Sequence, residues 1–129
     1  MKKIINKILL MSFIFIIVGC AGAQLLNIDN RNYITKPMQE EQVEKAIEAG
    51  GLAKGWRMKK INNGVIEASI LVRSHIVIVN ILYDSKGYEI NYKNSTNLNY
   101  DAEKSTIHKN YNRWVKNLDI NIKWQLSGV

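Results

Sequence analysis

Three side chains in this 129-residue chain are of the types that most readily do chemistry near neutral pH: Cys20, His75 and His108. A cysteine thiolate is a nucleophile and a metal ligand, and a histidine titrates near neutrality, so it can move a proton or hold a metal. Their settings limit what they can do. Cys20 is the only cysteine, so an intramolecular disulfide and a thiolate zinc site are both excluded. It follows an apolar stretch from Ile8 to Val18, which in turn follows Lys2, Lys3 and Lys7. A positive start and a short apolar segment are the features of a secretory signal, and the segment is too short to span a bilayer comfortably.

The run Ile17-Val18-Gly19-Cys20 resembles a bacterial lipobox. The resemblance implies that residues 1–19 are a signal peptide, that Cys20 is acylated (palmitate being a typical chain) and that it becomes the mature N-terminus. Residues 20–37 then read as the lipidated cysteine and a tether, which Leu25, Leu26, Ile28, Tyr33 and Ile34 could lay in part against the domain, and residues 38–129 as one domain. Ala21 is not an aspartate, which under enterobacterial sorting rules implies the outer membrane, with the domain facing the periplasm. Each buried methylene contributes about 0.8 kcal/mol, so one acyl chain holds marginally and several hold firmly. Much of the apparent basicity, 18 Lys and Arg against 11 Asp and Glu, is a targeting device, because three lysines lie in the leader. Phe13 and Phe15 lie there too, leaving Tyr and Trp as the aromatic residues of the domain.

Catalysis has thin support. His75 opens an expected strand and His108 an expected helix; a shared site would need the fold to bring them to a carboxylate such as Asp84 or Glu103. The chain contains no HExxH, no GxSxG, no phosphate loop and no dinucleotide fingerprint. None of Ser69, Ser74, Ser85, Ser95, Ser105 and Ser127 stands in a recognisable nucleophile setting. No catalytic residue, metal or cofactor is therefore assigned. Lys54, Arg57, Lys59 and Lys60 cluster around Trp56 and Met58 and suit anionic headgroups or acidic peptides, or are an ordinary solvated face. Tyr83, Tyr88, Tyr92, Tyr100, Tyr111 and Trp114 either line a groove for sugars or peptides or fill a core that lacks phenylalanine.

The elements that must position these residues follow from periodicity. Pro37 and the acids Glu40, Glu41 and Glu44 predict a helix over 39–54, with Val43, Ala46, Ile47 and Gly50 on one face and Gly50, Gly51 and Gly55 as weakening and stop signals. The period then changes to two. Strands are expected over 56–61, 65–72, 75–83 and 88–93, with Asn62-Asn63-Gly64, Arg73-Ser74 and Asp84-Ser85-Lys86-Gly87 as turns. A second helix over 105–125 carries Ile107, Tyr111, Trp114, Val115, Leu118 and Ile122 at steps of three and four. The expectation is an α+β two-layer sandwich in the order α-β-β-β-β-α, with a four-stranded antiparallel meander and two helices on one face. Ile76, Ile78 and Leu82 fall on the other face, which is less polar than a solvated surface would be.

The stretch from Ile107 to Leu118, with Tyr88 to Tyr92, Ser95 to Leu98, Gly55-Trp56 and Arg73-Ser74-His75, is similar to a family of small proteobacterial lipoproteins of uncharacterised function. That resemblance, carried chiefly by its IHxxYNxW pattern, implies export, lipidation and a small α+β domain. It makes His108, Tyr111, Asn112 and Trp114 the leading binding candidates, with His75, Tyr88 and Tyr92 added from the reading of the residues. The function expected is a non-enzymatic binding or envelope-interaction module, held to the membrane by its N-terminal lipid, with an envelope protein or cell-wall component as partner and no role for nucleic acid. Two alternatives stay open: a small hydrolase or transferase acting on cell-wall sugars or peptides, and a domain that binds a small ligand or metal.

Overall fold

The computed structural model describes residues 22–128; the leader, Cys20 and Ala21 lie outside the described residues. The fold is α+β, with two helices, a five-stranded antiparallel sheet and a small two-stranded sheet. In chain order the elements are β1 (Ala23–Gln24), β2 (Ile28–Asn30), α1 (Glu40–Ala53), β3 (Arg57–Asn62), β4 (Val65–Val72), β5 (His75–Tyr83), β6 (Tyr88–Thr96), β7 (Thr106–Ile107) and α2 (Lys109–Ser127). The expected meander is strands β3 to β6. The sheet has a fifth member because β2 adds to its edge, giving the order β2-β6-β5-β4-β3.

The segment read as a tether is thus part of the folded body from Ala23 onward. Ile28, Asp29 and Asn30 pair with Ile90, Glu89 and Tyr88, and Ala23 and Gln24 pair with Ile107 and Thr106. Two and three residues are too few to show a period, and their partners lie more than 50 residues away in sequence. The same pairing moves the start of α2. Thr106 and Ile107 are strand residues, so the helix begins at Lys109 instead of Ser105, with His108 as its cap: the ring Nδ1 accepts a hydrogen bond from the Asn110 amide at 3.1 Å.

α1 starts as its acids suggest. Glu40 and Glu41 lie at the positive end of the dipole, and the Gln42 side chain accepts from the Gln39 amide at 3.1 Å. It stops at Gly55, whose φ of +81° is the left-handed conformation that lets Trp56 N–H reach back to the Gly51 carbonyl at 3.0 Å. Gly50 has a different use from the stop signal expected. It lies at the crossing with α2, where a Cβ would stand 2.8 Å from the Ile122 Cα, so only glycine lets the two backbones meet.

Alternation on the strands turns one face of the sheet to the helices, the face opposite Ile76 and Leu82. Ile66, Ala68, Val77, Val79, Ile81, Tyr83, Tyr88 and Ile90 are buried, and they form one cluster with Val43 and Ile47 of α1 and Tyr111, Val115, Leu118 and Ile122 of α2. Burying each such aliphatic side chain contributes about 1.5–3 kcal/mol. Two matching polar ties cross from sheet to helices. Tyr83 and Tyr88 are neighbours across β5 and β6. Tyr83 donates to the Glu44 carboxylate of α1 at 2.7 Å, and Tyr88 donates to the Asp119 carboxylate of α2 at 2.5 Å. The opposite face carries Glu67, Lys93 and Asn91 together with Leu71, Ile76 and Leu82, and those three apolar residues are exposed.

Candidate functional site

Two of the residues singled out by the IHxxYNxW stretch, His108 and Asn112, lie where the described chain begins. Asn112, on the first turn of α2, holds the segment after β1 through its amide: Oδ1 accepts from Leu26 N–H at 3.0 Å and Nδ2 donates to the Gln24 carbonyl at 2.8 Å. A side-chain amide has one acceptor and one donor side by side, so it substitutes for a strand's backbone at this point. Leu25 N–H extends the attachment to the Ser105 carbonyl at 2.8 Å, and Asn27 Oδ1 accepts from Tyr92 N–H at 3.1 Å. Four residues downstream of Gly22 are thereby fixed to the domain by hydrogen bonds. Ile107 is fully buried beneath them.

Beside this clamp lies a cleft of about 740 Å³, lined by Ala23, Asn99, Asp101, Lys104, His108 and Lys109 among others. Its far wall is the 97–105 segment, where Asn97, Asn99 and Ser105 all have positive φ, a conformation that non-glycine residues adopt at some cost. His108 and Asp101 share the cleft, but one carboxylate oxygen of Asp101 and the Nδ1 of His108 already have local partners. Asp101 Oδ1 accepts from the Glu103 and Lys104 amides at 3.0 and 3.1 Å, closing a turn. The lone pair of His108 Nδ1 is engaged with Asn110 N–H, which leaves Nε2 carrying the proton in the neutral ring. In that tautomer His108 offers a donor to the cleft and not a base. His75 has the opposite tautomer: its Nδ1 lies 2.8 Å from the Asn97 carbonyl and must donate to it. Its ring stands 6.1 Å from that of Trp114, which is half-buried.

The tyrosines do not form one groove. Tyr88 and Tyr111 are 1% and 0% exposed, inside the core and out of reach of a ligand. Tyr92 stacks on Tyr100 at 4.3 Å, meets Tyr111 edge-on at 5.5 Å and bonds Ser95 at 2.8 Å. The Tyr111 hydroxyl is buried without a hydrogen-bond partner among the described residues. Burial drives the phenols of Tyr83, Tyr88 and Tyr111 well above their ordinary range, and the carboxylates beside Tyr83 and Tyr88 add to the effect. Glu44 is held below the usual carboxylate range, first by the Tyr83 hydroxyl and then by Lys60 at 2.9 Å. That pair takes Lys60 out of the basic cluster around β3, and Trp56, at the cluster's centre, is only 2% exposed.

Sequence reasoning did not single out Asp119 or Asn30. Asn30 Nδ2 donates to Asp119 at 2.8 Å and Lys123 lies 3.2 Å from the same carboxylate, so this 9%-exposed acid joins α2 to both β2 and β6. One sign was legible: Asp119 is the only acid in α2 and falls on its apolar stripe. Among the described residues no group of three or more His, Cys, Asp or Glu is placed to hold a metal, and no helix is long and apolar enough to cross a membrane. Comparison with family models, curated proteins and solved structures finds no match to this chain.

Proposed function

We propose that this protein is a lipid-anchored envelope lipoprotein that acts by binding and not by catalysis, held through acylated Cys20 at the outer membrane and facing the periplasm. The observation that carries the reading is the attachment of the chain just downstream of Cys20. Asn112, β1 and β7 fix the segment that would bear the anchor to the domain. His108 and Asn112, the most suggestive polar residues, serve that attachment and the cap of α2. The partner is another envelope component, either a protein or a cell-wall polymer.

Mass spectrometry of the membrane fraction tests the anchor. The expected result is a chain beginning at Cys20 with a diacylglyceryl thioether, and loss of membrane association in Cys20→Ser; a full-length chain with a free thiol would overturn it. Pulldown from detergent-solubilised envelopes tests the binding role, which predicts recovery of a specific envelope component.

One observation favours a second reading. The cleft places His108 and Asp101 in a common cavity large enough for a sugar or short peptide. A hydrolase or transferase would release or exchange fragments of purified cell wall, and His108→Ala would abolish that turnover. Binding of fragments without turnover would remove this reading.

A further inference from the structure

We propose that the outward face of α2 rests on the anionic surface of the bilayer, so that the domain lies flat on the membrane; the proposal builds on the acylation of Cys20 put forward above.

The first observation is the stripe itself. Lys109, Arg113, Lys116, Ile120 and Trp124 recur at steps of three and four, so at about 100° per residue they share an arc of about 80°. They stand opposite Tyr111, Val115, Leu118 and Ile122, which face the core. All five are exposed, Trp124 by 75% and Ile120 by 60%. None of the three cations is in an ion pair among the described residues. The single acid of the helix, Asp119, is turned inward to Tyr88 and Asn30. Three cations next to an exposed aliphatic and an indole match a headgroup layer, where phosphates meet the cations and the indole settles at the boundary with the acyl chains.

The second observation is where the anchor must lie. From Cys20 to Ala23 is three residues, which reach at most about 11 Å when fully extended. Ala23 is already paired with Ile107, two residues before Lys109. The lipid therefore enters the bilayer within that distance of Ala23, beside the end of α2 where the cations of the stripe begin. Acyl chains alone would leave the domain free to rotate about this point; a basic and aromatic face beside it supplies the second attachment and fixes the orientation. The apolar residues of the sheet's open face, Leu71 and Ile76, then point away from the membrane, toward a partner.

The experiment uses the lipidated full-length protein in vesicles of phosphatidylcholine and phosphatidylglycerol. Because acylation occupies the one native sulfur, Ile120→Cys and Leu71→Cys each provide a unique site for a fluorophore. Lipids with a nitroxide on the headgroup should quench the label at 120 severalfold more than the label at 71. The difference should shrink in Arg113→Glu/Lys116→Glu, in vesicles lacking phosphatidylglycerol, and at salt high enough to cut the screening length to about 3 Å. Equal quenching at the two sites would mean a freely turning domain, and stronger quenching at 71 a domain resting on its sheet; either overturns the proposal. No quenching at either site would also overturn it, leaving the stripe to a protein partner. Mass spectrometry of each sample separates these outcomes from failure of the anchor, since an unacylated Cys20 would undo the reading beneath the proposal.

Discussion

The two helices pack on the same sheet face, cross at Gly50, and are each tied by a carboxylate to a strand tyrosine, yet their outer surfaces have opposite chemistry. α1 is acidic, and two of its four glutamates are paired within the protein: Glu41 with Lys45 at 3.3 Å, and Glu44 with Lys60 and Tyr83. α2 is basic, and Lys109, Arg113 and Lys116 have no acid beside them on their helix face. The core dictates what a helix turns inward, because packing density leaves little freedom there. Nothing in the core dictates what it turns outward. An outer face with unpaired cations, an isoleucine and a tryptophan therefore carries information about surroundings, where the outer face of α1 carries little.

The largest effect expected from this comparison is alkaline. Tyr83 binds α1, Tyr88 binds α2 and Tyr111 belongs to α2, and the folded protein holds all three phenols protonated beyond the ordinary value of 10.0. Above that pH the unfolded chain releases these protons and the folded one keeps them, so stability falls as pH rises, by about 1.4 kcal/mol per pH unit for each phenol. Urea midpoints measured across the alkaline range should fall steeply, with the phenolate absorbance of these three appearing only on unfolding. Phenolate signal from all three in the folded state would break the account of both ties.

The ties themselves should differ. Asp119→Ala leaves the Tyr88 hydroxyl and Asn30 amide without their acceptor in a buried site and should cost about 3 kcal/mol in chemical denaturation. Gly50→Ala forces a methyl against the Ile122 backbone and should cost about 2 kcal/mol, loosening both helices together. Glu44→Ala should cost less, about 1 kcal/mol, because the Glu44 side chain is 19% exposed and water can take its place. The depressed values of Glu44 and Glu67 also give an acid limb: the stability they contribute is complete above 4.5, their ordinary value, and is lost as pH falls through the lower folded values. The smallest effect is the sharpest discriminator. Trp124→Ala on α2 and Leu52→Ala on α1 both remove exposed side chains and should leave stability within about 0.5 kcal/mol. Only Trp124→Ala should weaken the contact of the lipidated protein with anionic vesicles, read as loss of headgroup quenching at position 120.

Local pattern alone specified the two helices, strands β3 to β6, their turns and the inward alternation from Ile66 to Ile90, because each is written in periods of 3.6 or 2 within a few residues. It also placed the charges of α1 at the correct helix end; Asn112 stood out only through the resemblance of its stretch to a lipoprotein family. The tertiary structure decided the rest. It turned Ile28–Asn30 into a fifth strand, made Thr106–Ile107 a strand instead of a helical turn, and put Gly50 at a crossing instead of a stop. It also decided, between a groove and the core, that Tyr88 and Tyr111 fill the core. The first three depend on a partner far along the chain, and a contact between segments 58 to 84 residues apart leaves no period in either one.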